Sequence, residues 1–226
     1  MCINAKPQYI LSGLITFMKD IVWYLFCSLT TKKFMSIDPQ IIVSLALGLG
    51  LSACCGFRVF IPLLAASVAG HMGWLPLAAN FGWLGSIPAI ICFSTAAVLE
   101  VLAYYIPVVD NFLDTIATPS AVIAGSVISA STFVHLDPSW QWILGIILGG
   151  GSAGIIQSGT AMTRLGSTKA TAGTGNHILA TGEAAAAAGG SILALLFPIM
   201  MALIIIALLL WILYLGSKLM GKKAAN

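Results

Sequence analysis

The chain has 226 residues, of which 59% are apolar and 8% are charged, and its mean hydropathy is +1.03. This composition excludes a water-soluble globular domain and indicates a membrane protein. The 10 basic and 7 acidic residues leave long charge-free gaps at 59–99, 115–136, 138–163 and 184–217. Each gap is long enough to cross a bilayer, which takes roughly 20 residues, so no chain remains for a nucleotide-binding fold or a soluble catalytic module.

Basic residues lie near the ends of the apolar runs, where they indicate which loops face the cytoplasm. The net charge of +3 is therefore interpreted as a topology signal and not as a sign of nucleic-acid binding. The cytoplasmic side is favoured for Lys32, Lys33, Arg164 and Lys169. The loops 71–83 and 135–139 contain no Lys or Arg and are expected outside. The basic C-terminus also favours the cytoplasm, but a single crossing by 183–217 would place it outside. The side of the C-terminus therefore stays open.

The chain is expected to comprise an N-terminal segment 1–39, a single membrane domain 40–217 and a basic C-terminal tail 218–226. In the first segment, residues 8–29 are moderately apolar but contain a Lys-Asp pair, which is typical of an interfacial helix or a weak span. The five cysteines show no metal-ligand spacing and are interpreted as small packing residues.

Two spans are predicted in the first half of the membrane domain. Residues 40–70 form a Gly- and Ala-rich span with Arg58 inside it, and its small residues suit close helix contact. An uncharged loop follows, and its two Trp residues are typical of a membrane interface. The second span is expected at 85–109 and contains Glu100.

Interruptions are expected in the second half. Residues 110–134 are predicted to divide at Pro119 into a short amphipathic helix and a buried broken or re-entrant element. A fourth span is expected at 140–162. The Gly- and Thr-rich residues 163–182 disfavour a regular helix over much of their length.

The last apolar segment, 183–217, is too long for one straight span. As a single helix it would extend about 50 Å at 1.5 Å per residue, whereas a bilayer core is roughly 30 Å thick. A break or kink is therefore predicted at Gly189, Gly190 and Pro198.

A coarse internal similarity relates the two halves. In each half, a Gly-rich span leads to an arginine, Arg58 or Arg164, and a later apolar segment carries one glutamate, Glu100 or Glu183. Two similar halves with interrupted helices are typical of many secondary transporters. A duplicated helical scaffold without transport would give the same pattern, so both interpretations stay open.

Three stretches carry a resemblance to a known family: GFRVFIP at 56–62, EVLAYYIPVVDNFLDTIATP at 100–119, and TRLGSTKATAGTGN with the later Glu183. Together they resemble a family of bacterial multi-pass membrane proteins known only as a domain of unknown function. The resemblance covers about residues 43–216 and leaves the N-terminal segment outside it. It implies a membrane fold and no chemistry, so the chemistry must be inferred from the charged residues.

Arg58, Glu100 and Glu183 form the candidate substrate or proton site. An ionisable group at bilayer depth costs roughly 2.5–3.5 kcal/mol on insertion scales and normally faces a partner, a cavity or a pathway. One interpretation is a structural ion pair between Arg58 and Glu100 that locks two helices. The other is a carboxylate that titrates or binds substrate. Arg164 is a secondary candidate for the same site.

Asp110 and Asp114 are further secondary candidates, because a spacing of four residues puts both carboxylates on one helix face. They could hold a divalent cation, and DNFLD distantly resembles the Asp-rich, magnesium-diphosphate motif of membrane prenyltransferases, although the chain has no second such motif. A solvated helix start, favoured by the helix dipole, explains them equally. The stretch 166–176 lacks P-loop spacing and is expected to be a cytoplasmic loop. No metal or cofactor is assigned.

The expectation is an all-α polytopic protein of the bacterial inner membrane, with about four to six transmembrane or re-entrant helices and a pseudo-repeat with broken helices. The favoured function is transport or conduction of a small solute, ion or lipid head group. The alternatives are a structural or assembly protein, and a membrane enzyme that uses a divalent metal at Asp110 and Asp114. Membrane lipids and a small solute or ion are the expected partners, nucleic acid is not, and homo-oligomerisation stays open.

Overall fold

The structure, a computed structural model, describes residues 39–103, 107–171 and 175–224, and the regular secondary structure in these ranges is helical. In chain order the helices are α1 Pro39–Cys54, α2 Phe60–His71, a 3-10 helix Ala79–Gly85, α3 Ile87–Ala103, α4 Pro107–Thr132, α5 Pro138–Leu144, a π-helix Gly145–Gly150, α6 Gly151–Thr171, α7 Asn176–Leu196 and α8 Pro198–Ala224. The interfacial helix or weak span expected at 8–29 lies outside the described residues.

Among the described helices, three are long and apolar enough to cross a membrane. They are Pro138–Ser167, Ile178–Leu196 and Pro198–Leu215. The 3-10 helix and α3 form a pair bent by 60° that makes up a fourth candidate span. The bent pair and the shorter apolar helices α1 and α2 agree with the predicted architecture of spans and broken helices.

The distribution of side chains is the reverse of that in a soluble protein. Helix α8 exposes Leu203, Leu210 and Trp211, whereas Arg58 and Glu100 are buried. Soluble proteins almost never bury such charged residues fully unless these are paired, and they seldom expose so continuous an apolar surface. The chain is therefore an integral membrane protein, and the predicted all-α polytopic class is confirmed.

The prediction of one continuous span over 40–70 is wrong, because α1 ends at Cys54 and α2 begins at Phe60. In the break between them, backbone N–H groups donate hydrogen bonds to carbonyls three residues earlier. This 3-10 type of turn is tighter than an α-helical turn and is frequent at helix ends. Pro62 lies in the first turn of α2. N–H groups in this turn have no intrahelical acceptor, so a proline, which lacks an N–H, costs no hydrogen bond here. Arg58 consequently lies between two helices rather than inside one.

Two predicted interruptions in the second half are also wrong. Helix α4 continues through Pro119, and α6 extends to Thr171, so much of 163–182 is helical. A proline within a membrane helix is tolerated where neighbouring helices support it, and α4 packs against both the π-helix and α6. On α6, the Thr163 hydroxyl donates to the Gly159 carbonyl at 2.9 Å, which satisfies a polar group in apolar surroundings.

The predicted break in the last apolar segment is confirmed at Pro198. Helix α7 ends at Leu196, Phe197 has non-helical backbone angles, and α8 begins at Pro198. A proline cannot donate the hydrogen bond that would continue α7, and its ring clashes with the preceding turn. Helix α7 runs uninterrupted through Gly189 and Gly190, so the break predicted at those two residues is wrong.

Small residues bring α4 and the π-helix into backbone contact. A methyl group at Gly149 would overlap the carbonyl oxygen of Gly125 and the side chain of Ser129. Without a hydrophobic driving force between helices in lipid, such close packing is a main source of attraction. The buried core includes Leu51 and Ile156, which join α1 to α6 beside the break.

Candidate functional site

The break between α1 and α2 is pressed against α6. A methyl group at Gly56 would lie 2.6 Å from the carbonyl oxygen of Ala153 on α6, so only a glycine permits this approach. Two residues later, Arg58 is carried into the interior and is 2% exposed. Close packing at Gly56 is therefore what holds a guanidinium group inside the helix bundle.

Glu100 on α3 caps the start of α2. Its Oε1 accepts a hydrogen bond from the backbone N–H of Val59 at 2.9 Å, and its Oε2 accepts one from Phe60 at 3.0 Å. The first N–H groups of a helix lack intrahelical partners, and the helix dipole favours a negative charge beside them. The carboxylate thus satisfies two buried donors of another helix while its own charge is stabilised.

Arg58 joins the break to α7. Its Nη2 donates to the carbonyl oxygen of Ala180 at 2.9 Å and forms an ion pair with Oε2 of Glu183 at 3.6 Å. The first contact is a hydrogen bond to backbone, and the second is longer than a hydrogen bond. One guanidinium group therefore connects the start of α2 to both the backbone and the carboxylate of α7.

Arg164 on α6 binds the same carboxylate more closely. Its Nε donates to Oε1 of Glu183 at 3.0 Å, and its Nη2 donates to Oε2. The two N–H groups of a planar guanidinium match the two oxygens of a carboxylate, which makes this the strongest form of ion pair. Both side chains are nearly excluded from solvent, at 4% exposure for Arg164 and 9% for Glu183.

We call these four residues, Arg58, Glu100, Arg164 and Glu183, the charge cluster. Electrostatic interaction also reaches from Arg58 and Arg164 to Glu100, so the two carboxylates share their cationic neighbours. The contacts of the cluster link the start of α2 with α3, α6 and α7.

The structure brings together the three residues of the predicted site and the secondary candidate Arg164. It does not join Arg58 to Glu100 in the expected way. The two side chains lie at the same helix start, but the Glu100 carboxylate binds the backbone of the two residues after Arg58, and Arg58 contacts Glu183. Their roles in binding or proton transfer stay predictions.

Asp110 and Asp114 lie on α4, four residues apart, as the sequence predicts. Their side chains are outside the described part of the structure, so their proposed metal or diphosphate role stays a prediction. In the described part, no group of three or more His, Cys, Asp or Glu is arranged to hold a metal ion.

Sequence reasoning missed the backbone groups of the site: the N–H groups of Val59 and Phe60, and the carbonyl of Ala180. Backbone groups have no sequence signature of their own. The sequence did contain one indirect signal. Pro62 in the motif GFRVFIP indicates the first turn of a helix, and backbone N–H groups at a helix start lack intrahelical partners.

Comparisons with known proteins give a family but no activity. Neither a search of curated proteins nor a search of solved structures found a match to this chain. A family model described as a domain of unknown function matches residues 45–218, a range that contains the whole charge cluster. The range also includes every candidate membrane span. The chain therefore belongs to the family Domain of unknown function (DUF4126).

Proposed function

We propose that the protein moves a small solute, ion or lipid head group across the membrane, and that Arg58, Glu100 and Glu183 form its substrate or proton site with Arg164 beside them. The observation that carries the proposal is the burial of four ionisable side chains among apolar helices. Each such charge costs roughly 2.5–3.5 kcal/mol at the centre of a bilayer, and intramembrane charges commonly mark a pathway.

Helix breaks beside the cluster support the same proposal. Many transporters bind substrate where a helix is interrupted, with the N-terminus of the second half facing an anionic group. Here the start of α2 faces the Glu100 carboxylate, and the break also places Arg58. We propose the break between α1 and α2 as the element that moves, since α4 runs without interruption from Pro107 to Thr132. The pseudo-repeat and a place in the bacterial inner membrane belong to this proposal as well.

A structural or assembly role is the second candidate, and one observation favours it. All four carboxylate oxygens of Glu100 and Glu183 accept hydrogen bonds from the protein itself. A network in which every carboxylate oxygen has a protein donor rigidifies a core without any substrate. The metal-dependent enzyme at Asp110 and Asp114 is the third candidate, and no observation on described residues favours it.

The transport proposal is tested in two stages on the purified full-length protein. A thermal-shift screen of ions, small anions and lipids first identifies a stabilising solute. Flux of that solute into proteoliposomes is then compared between wild type, Glu100→Gln and Glu183→Gln across a pH series. Asp137→Asn is the matched control, because it makes the same chemical change at an exposed loop position.

Glutamine keeps the shape of glutamate but cannot titrate, so pH-dependent flux should disappear in at least one glutamine variant while folding survives. Unchanged flux in both variants would remove the carboxylates from the mechanism. If no solute stabilises the protein, the transport proposal fails and the structural or assembly role is favoured instead.

A further inference from the structure

We infer that the charge cluster contains an oxyanion site, for a carboxylate or phosphate group, formed by Arg58 and Arg164 around the position of the Glu183 carboxylate. This inference rests on the proposed function, and it adds to it by naming the chemical class of the substrate. The binding site itself can be measured independently of transport.

Two guanidinium groups approach Glu183 from different elements. Arg164 comes from α6 and binds both carboxylate oxygens, while Arg58 comes from the break before α2 and lies 3.6 Å from Oε2. A guanidinium group can donate two hydrogen bonds to the oxygens of one carboxylate or phosphate, and it binds them more strongly when water is excluded. Both arginines are almost completely buried, so this site combines guanidinium donors with the exclusion of water.

The Arg58 contact leaves room for a group of different shape from the native carboxylate. At 3.6 Å its Nη2 is just beyond hydrogen-bond range of Glu183, although the same nitrogen reaches the Ala180 carbonyl at 2.9 Å. A carboxylate is planar, whereas a phosphate group points its oxygens in tetrahedral directions. It could therefore accept hydrogen bonds from both arginines, whereas Glu183 accepts them from Arg164.

The helix start adjacent to Arg58 adds a second anion-favouring feature. The N–H groups of Val59 and Phe60 already bind a carboxylate, that of Glu100. Helix N-termini favour oxyanions because their donors and dipole both point outward. Glu100 and Glu183 thus occupy two neighbouring anion positions, of which Glu100 is held by backbone N–H groups and Glu183 by side chains.

Glu183 lies at the edge of the charge cluster. Thr181 and Gly182, which precede it on α7, are exposed, and apart from chain neighbours and the backbone of α7 itself no atom lies within 4 Å of where a Gly182 side chain would begin. Glu183 and Glu100 are the more exposed members of the cluster, at 9% and 8%. We expect an incoming anion to approach from this edge and to compete with Glu183 for Arg164.

The test measures binding to the full-length protein in phosphatidylcholine nanodiscs. In one arm, radiolabelled inorganic phosphate or acetate is titrated at constant ionic strength. In the other arm, no soluble anion is added, phosphatidylglycerol replaces part of the lipid, and the phosphatidylglycerol retained per protein is counted by mass spectrometry. The first arm detects a free anion and the second a lipid head group. Wild type is compared with Glu183→Gln, Arg164→Lys and the control Asp137→Asn.

The wild type should bind one probe saturably, and Glu183→Gln should tighten its Kd about ten- to hundredfold, because hydrogen bonds to charged groups contribute about 1.5–3 kcal/mol and the competing carboxylate is gone. Arg164→Lys should weaken binding by a similar factor, since lysine keeps the charge but loses the two-point contact. Asp137→Asn should match wild type. If Glu183→Gln fails to fold, Glu183→Asp retains the charge on a shorter side chain and should tighten Kd in the same direction.

Three results would overturn the inference: a wild type that binds none of the probes, binding that appears only when Glu183 is replaced, or binding that is unchanged in Arg164→Lys. The proposed function fails separately. Saturable, Arg164-dependent binding without flux would keep the anion site and reject transport. Flux of a cation without anion binding would keep transport and reject the anion site.

Discussion

Arg164 holds the carboxylate of Glu183 at two points across the interface of α6 and α7, and Arg58 contacts the same carboxylate from the break before α2. One glutamate is therefore the common partner of two buried arginines. Its carboxylate links both α6 and the start of α2 to α7, and the hydrogen bond from Arg58 to the Ala180 carbonyl adds a second link between the start of α2 and α7.

We predict that the stability losses at Arg164 and Glu183 are not additive. Removing one member of a buried ion pair leaves an uncompensated charge and costs about 3–5 kcal/mol, whereas replacing both members with apolar side chains is often tolerated. Glu183→Met should lower the unfolding temperature in detergent more than Arg164→Met, because Glu183 serves two arginines. The double variant should be more stable than Glu183→Met alone. Strictly additive losses would show that the two side chains do not depend on each other.

A second prediction concerns Glu100 and the start of α2. Glu100→Gln offers one acceptor where two backbone donors, Val59 and Phe60, need partners, so one buried N–H loses its hydrogen bond at a cost of about 1–3 kcal/mol. Amide exchange at these two residues should accelerate by about ten- to hundredfold in the variant. Hydrogen-exchange mass spectrometry on peptides covering 55–65 measures this directly.

The control for this experiment is Asp137→Asn, which removes an exposed carboxylate and should leave exchange at 55–65 unchanged. Equal protection of Val59 and Phe60 in wild type and Glu100→Gln would contradict the capping role of Glu100. Faster exchange along the entire chain would indicate global unfolding instead, and Glu100→Asp would then show whether the reach of the side chain matters.

The identity of the charged site could be predicted from sequence because isolated charges stand out in an apolar chain. Arg58, Glu100, Arg164 and Glu183 were all recognisable in this way. Their pairing could not be predicted, because hydrophobic patterning gives no distances between helices. Of the two glutamates of the cluster, Glu183 is the more distant from Arg58 in sequence, yet it is the one with which Arg58 forms an ion pair.

The break at Pro198 was predicted correctly, whereas the interruptions expected at Pro119 and within 163–182 were wrong, for a physical reason. Proline removes a donor in any solvent, but a membrane helix tolerates it where neighbouring helices support it, so Pro119 does not interrupt α4. The low helix propensities of Gly and Thr were measured in water, where a non-helical backbone can form hydrogen bonds to the solvent. In apolar surroundings every backbone group needs an internal partner, which favours helix over 163–171 despite its composition.

A third prediction tests the close contact between α4 and the π-helix. Gly149→Ala would place a methyl group against the Gly125 carbonyl and Ser129, and such overpacking costs about 1–3 kcal/mol. Gly151→Ala is the matched control, because nothing lies within 4 Å of its added methyl group. The control should be neutral or slightly stabilising, since alanine is favoured over glycine in a helix by about 1 kcal/mol. Thermal unfolding in detergent compares the two variants, and an equal effect of both would contradict the backbone contact.

The final prediction tests membrane embedding with a native thiol. Cys92 lies on α3 and is exposed on the surface of the protein, in the middle of the candidate span formed with the 3-10 helix. If that surface faces lipid, a membrane-impermeant maleimide should leave Cys92 unlabelled in both intact and permeabilised cells, because the polar reagent does not enter the hydrocarbon core. A variant in which Cys92 is the single cysteine removes the contribution of the others. The matched positive control adds a cysteine at the exposed loop residue Asp137, which should label from one side of the membrane. Strong labelling of Cys92 in both kinds of cell would mean that this face of α3 meets water, and the fourth candidate span would then have to be abandoned.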